Sequence, residues 1–182
     1  MLPTPPAGAD LAQVLRASAF AAHKHRNQRR KDVDASPYIN HPLTLANVLA
    51  NEGGVADAVT LCAALLHDTV EDTDTTAEEL QREFGSEICG VVLEVTDDRT
   101  LAKADRKRLQ IEHAAVISDR AKLVKLADKI SNLRDVATSP PAGWPLERRR
   151  EYFDWAKAVV DRLRGVHPGL EAAFDHAYAQ RP

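Results

Sequence analysis

The sequence predicts an all-α fold of about nine helices. Three observations carry that prediction. Apolar residues recur at three- and four-residue spacing in one segment after another. Alternating β-branched runs of the strand type are missing almost everywhere, and the punctuation between segments is that of helix ends.

Asp10 stands where it can cap a first helix with Leu11, Val14, Leu15, Ser18 and Ala22 on one face, fading among the charges near Arg29. Residues 31–40 read as a polar loop, after which Pro42 opens a second helix with Leu45, Val48 and Leu49 inward, closed by Gly53 and Gly54. A third helix over residues 55–70 contains the nearly continuous apolar stretch LCAALL, so it should be covered on most sides. Thr75 and Thr76 each precede a glutamate, Glu78 and Glu79, by three residues. These overlapping capping boxes start a short helix to Gly85, and another follows from Ser86 to near Thr96. The charged loop DDRTLAKADRKR leads into a helix with Leu109, Ile111, His113 and Val116. Asp119 caps the next, whose stripe is Leu123, Leu126, Ala127, Ile130 and Leu133. Pro140 and Pro141 end that neighbourhood, and Pro145 and Pro168 open the last two helices, the first of them with Tyr152, Trp155, Val159 and Leu163 inward.

A chain of 182 residues fits one domain, taken here as residues 10–182 behind a flexible leader of residues 1–9. Hydrophobic residues at 44% and charged residues at 28% supply a core and exclude disorder. A net charge of -3 gives no general attraction to polyanions, so nucleic acid is not an expected partner, and any nucleotide needs a local basic cluster. Cys62 and Cys89 lie in apolar surroundings without CxxC spacing, which reads as reduced thiols of a cytoplasmic protein. The proline-bearing leader lacks the pattern of a signal peptide, and no apolar run reaches the ~20 residues that span a bilayer.

Nitrogen and oxygen donors are spread over three helical segments: His41 before the second helix, His67 and Asp68 near the end of the apolar third, and Asp128 in the seventh. Two imidazoles and two carboxylates without a thiolate suit one divalent ion per chain, Mn(II) best, with Fe(II) or Zn(II) as alternatives. Taken singly, each has an ordinary explanation as a surface or core residue. An imidazole and a carboxylate directly after LCAALL, however, are costly to bury unless something pairs them. If the helix persists another turn, Glu71 lies above His67 and Asp72 above Asp68, two carboxylates placed for proton transfer. Alone, they would be an acidic loop. Asn132 shares a face with Asp128.

The segments RRKDVDASPYINHP, ALLHDTVEDTDTT, FGSEICGVVLEVTDD and KLVKLADKISNLRD, in this order, resemble the hydrolase domain of the RelA/SpoT family, above all its single-domain members. The likeness covers about residues 10–180. It implies an HD-domain helical fold around a single metal site and Mn(II)-dependent removal of the 3′-pyrophosphate from ppGpp or pppGpp. Carried over, the metal ligands are His41, His67, Asp68 and Asp128, and Glu71 and Asp72 are the catalytic carboxylates. Arg30, Lys31, Tyr38, Lys103, Asn132 and Arg148 face the nucleotide. The remaining histidines, His23, His25, His113, His167 and His176, match no metal position and read as surface or packing residues. A homodimer is left open. The rivals are another HD phosphohydrolase, a phosphatase acting on the ribose phosphate of NADPH, and a nucleotide sensor without catalysis.

Overall fold

Helix forms where the apolar spacing predicts it. The computed structural model describes residues 9–182, which build α1 (Ala9–Lys24), α2 (Asn40–Asn47), α3 (Ala58–Leu66), α4 (Thr69–Asp72), α5 (Ala77–Val95), α6 (Lys103–His113), α7 (Asp119–Thr138), α8 (Leu146–Val160) and α9 (Pro168–Tyr178). A π-helical turn, Val48–Glu52, continues α2. Among the described residues the only β pairing is an isolated bridge between Arg29 and Pro37, and no helix is long and apolar enough to cross a membrane.

The apolar stretch in α3 becomes the centre of the molecule, with α1, α2, α5 and α7 packed around it. Cys62, Ala63, Ala64, Leu65 and Leu66 are all buried, the thiol of Cys62 and that of Cys89 remaining free. Of the predicted stripe of α7, Leu126, Ala127, Ile130 and Leu133 have no exposed surface, and Leu123 is partly buried against the core. These two helices form the rigid bed on which the polar cleft rests.

Several local expectations need correction. Asp10 lies inside the first turn of α1, which already includes Ala9 from the expected leader; residues 1–8 lie outside the described residues. The buried face of α1 is Ala17 and Ala21, while Leu11 and Leu15 are exposed, so the contact stripe is rotated from the one expected. Only Thr76 caps α5, accepting from Glu79 N at 3.2 Å, whereas Thr75 is buried against Thr73. Ser118, not Asp119, caps α7, its hydroxyl accepting from Ala121 N at 3.2 Å. The third helix stops at Leu66 and restarts at Thr69. Val116 is exposed beyond the end of α6.

The two short helices expected on either side of Gly85 are the two arms of α5. Gly85 breaks the helical dihedrals with φ 83° and ψ 171°, a conformation essentially confined to glycine. Gly90, in the second arm, has open space where a Cβ would stand. Gly85→Ala should therefore destabilise the fold by about 1–3 kcal/mol through backbone strain alone. Gly90→Ala should stabilise it by about 0.5–1 kcal/mol. Urea-denaturation midpoints check the pair, and a shift of the same sign for both would contradict the kink.

Candidate active site

The loop between α1 and α2 folds back on itself. Arg30 N donates to Ser36 O at 2.8 Å and Tyr38 N to Gln28 O at 3.1 Å. Asp32 ties the turn by accepting from the backbone and hydroxyl of Ser36. This ordered loop delivers Tyr38, and the first turn of α2, which already includes the His41 expected before it, delivers His41, to the end of α3 and the middle of α7.

His67 ends α3, and its Nδ1 donates to the carbonyl of Ala64 at 2.8 Å, since a carbonyl can only accept. That bond fixes the tautomer and aims Nε2 into the cleft. Asp68 follows at φ −97° and ψ −1°, between the two helices, in the bridge region of backbone space where many active-site residues sit. Its Oδ2 lies 2.9 Å from His67 Nε2 and accepts from the Tyr38 hydroxyl. His41 Nε2 stands 3.2 Å from Asp128 Oδ1 and 3.9 Å from Asp68 Oδ2. Donor atoms of His41, His67 and Asp128 all lie within 4.8 Å of one another. Asp68 lies outside that tight triad but touches both imidazoles.

The charges explain one another. Burial opposes protonation of His67, yet the carboxylates of Asp68 and Asp128 outweigh it and raise its pKa to about 9. Burial would raise Asp68, but the imidazoles of His67 and His41 hold it well below the usual carboxylate range. Asp128 is also driven well below its ordinary value against burial, by Lys129, His41 and His67. Lys129 Nζ sits 2.9 Å from Asp128 Oδ2, and Asn132 Nδ2 donates to Oδ1 at 2.6 Å.

The adjacent carboxylates diverge in environment. Glu71 is pushed up to about 7, chiefly by burial and then by Asp97, Asp68 and Asp72, although it accepts from Asp97 N at 3.2 Å. Asp72 is held at both oxygens, Oδ1 by Arg99 and Oδ2 by Gln28 Nε2 at 3.0 Å. Asp72 N donates to Asp68 O at 2.9 Å, so the expected helical stacking of Asp72 above Asp68 holds in the backbone of α4.

His41, His67, Asp68, Glu71, Asp72 and Asp128 line one cleft of about 210 Å³. It shares Arg30, Tyr38, His41, Asp72 and Asn132 with a neighbouring cavity of about 660 Å³ that Lys31 also lines. Arg30 pairs with Asp135 and lies 5.9 Å above the centre of the Tyr38 ring. Lys103 and Arg148 do not reach this space; they line an adjoining cavity of about 550 Å³, to which Lys31 and Tyr152 are common. Arg148 lies 4.3 Å from the centre of the Trp144 ring.

Sequence reasoning missed Gln28, Arg99, Lys125, Lys129 and Tyr152. Tyr152 had been expected in the core, yet it lines both outer cavities. Lys125 and Lys129 are buried beside the cleft, and burial together with Lys129 pulls Lys125 down to about 8. Their place one turn before and one residue after Asp128 was the available signal.

Residues 17–154 match the HD domain, and the chain belongs to the HD-domain family. Over 169 residues it is 56% identical to the guanosine-3′,5′-bis(diphosphate) 3′-pyrophosphohydrolase MESH1 of Xenopus tropicalis, covering 93% of this chain and 94% of that one. The protein of the same name from Homo sapiens is 55% identical over 174 residues, covering 96% and 97%. A solved structure described as a metazoan orthologue of SpoT that hydrolyses ppGpp superposes with a TM-score of 0.91 at 50% identity, covering 98% of each chain.

The donor set fits a divalent ion: two buried imidazoles, one with its tautomer fixed by a carbonyl, face two ionised carboxylates. A cation binding there must displace the His67 proton. Below pH 9, binding of a divalent cation should release about one proton, and affinity should strengthen as pH rises toward that value. Calorimetry in buffers of different ionisation enthalpy measures the release; identical heats in all buffers would contradict it.

Proposed function

We propose that this chain is a metal-dependent phosphohydrolase that converts ppGpp or pppGpp to GDP or GTP plus pyrophosphate. The observation that carries this reading is the single cleft in which two imidazoles, two aspartates and a second carboxylate pair meet, opening into a cavity with Arg30 and Lys31. The activity for which the vertebrate relatives are named supplies the substrate.

His41, His67, Asp68 and Asp128 hold one ion, Mn(II) by preference for this mixture of nitrogen and oxygen donors. When bound, it supplies Lewis acidity toward water and the phosphoryl oxygens. Glu71, with its pKa near neutrality, takes a proton from the attacking water, and Asp72 orients that water. The water oxygen bonds to the phosphorus attached to ribose O3′, the P–O3′ bond breaks, and O3′ takes up a proton from solvent as Glu71 gives its own back to solvent. Arg30 presents a planar cation for the purine, with Tyr38 beneath it, while Lys31 meets phosphate where the outer cavities join, and Lys103 and Arg148 meet only phosphate that extends into the adjoining cavity. Asn132 holds the ribose side beside Asp128. The free thiols of Cys62 and Cys89 support a cytoplasmic site of action.

Purified protein incubated with ppGpp, pppGpp and NADPH should release pyrophosphate from the first two. The reaction should stop with chelator and resume with Mn(II); full turnover in chelator would refute the reading, and phosphate release from NADPH alone would transfer the activity to that substrate. Asp68→Ala should abolish turnover. The native rate should rise as pH passes about 7, and Glu71→Gln should lower kcat by about 10²–10⁴-fold and remove that rise.

A further inference from the structure

Asp72 carries its acceptors in a fixed orientation, and the groups that fix it lie far away in sequence. Arg99 takes Oδ1, while Gln28 Nε2 donates to Oδ2 at 3.0 Å. The other end of the same amide, Gln28 Oε1, meets Nδ1 of His25 at 2.6 Å. His25 is buried, and its ring packs on Tyr38 with centroids 4.8 Å apart.

These contacts have only one consistent polarity. An ionised carboxylate only accepts, so the amide nitrogen of Gln28 must face Asp72, and its oxygen must face His25. Nδ1 of His25 therefore carries the hydrogen and donates. Without that donor, the Gln28 amide could turn over and present its oxygen to Asp72, acceptor against acceptor. The backbone is anchored as well: Gln28 N donates to His25 O at 2.9 Å, and Tyr38 N donates to Gln28 O at 3.1 Å.

We infer that His25 and Gln28 form a positioning relay for Asp72, in which the buried imidazole sets the polarity of the Gln28 amide and that amide aims the carboxylate into the metal cleft. The inference rests on the hydrolase reading given above. His25 is buried away from both cavities, and Gln28, although it lines the outer cavity, spends both ends of its amide on His25 and Asp72, so both act through Asp72.

The test uses the full chain with Mn(II) and ppGpp. Gln28→Ala should lower kcat about 10–100-fold, leaving KM and bound metal close to native. Gln28→Glu keeps the volume but loses the N–H, so it should lose at least as much; a packing role would tolerate it. His25→Leu should reproduce the loss, and His25→Asn, which restores an N–H near Nδ1, should recover most of it. Native kcat in Gln28→Ala or Gln28→Glu would overturn the relay, as would His25→Asn no better than His25→Leu. If the His25 variants fail to fold, the two Gln28 variants decide. A native protein that does not hydrolyse ppGpp would defeat the underlying reading instead, which separates the two failures.

Discussion

Four ionisable groups leave bulk water where α2, α3 and α7 meet, and none could do so alone. An isolated charge in such a place costs several kcal/mol after relaxation. Here Asp68 lies against His67 and Tyr38, and Asp128 lies against His41, Lys129 and Asn132. Each partner lowers the burial cost of the other. Geometry must be held tightly for that to succeed, because the attraction falls as soon as water enters between the groups. The apolar packing of α3 and α7 provides the rigidity, so the core and the polar cleft are parts of one constraint.

Much of this was legible in the residues. The imidazole and carboxylate directly after LCAALL implied a partner, and the four-residue step from Asp128 to Asn132 is realised as a direct hydrogen bond. The interruption between His67 and Asp68 was not legible, because no glycine or proline marks it. Buried lysines were equally hidden. Periodicity counts Lys125 and Lys129 as polar, whereas their long stems pack inward and only the ammonium groups need polar company. Arg99 and Gln28 reach Asp72 from 27 and 44 residues away, and no local pattern encodes contacts of that kind. His25 reads as a packing residue for the same reason.

The distribution of charge in the cleft also follows from position more than from totals. Carboxylates gather on the floor, at Asp68, Glu71, Asp72 and Asp128, while Arg30, Lys31, Lys103 and Arg148 stand around the outer cavities. A chain with net charge -3 thereby keeps its cleft carboxylates on the floor, beside Lys125 and Lys129, and most of the basic side chains in the outer walls, with Asp32 and Asp135 among them.

The interruption separating α3 from α4 has a further consequence. In an unbroken helix, neighbouring residues point about 100° apart, from the 3.6-residue period, so two successive side chains could not serve one small target. At the interruption, where Asp68 has φ −97° and ψ −1°, His67 Nε2 and Asp68 Oδ2 nonetheless meet at 2.9 Å. One residue added or removed upstream of it would swing His67 away while leaving Asp68 in register with α4, and the reverse holds downstream. The stretch tolerates changes of side chain at its margins far better than changes of length, which makes chain length there a stricter signature than any single letter.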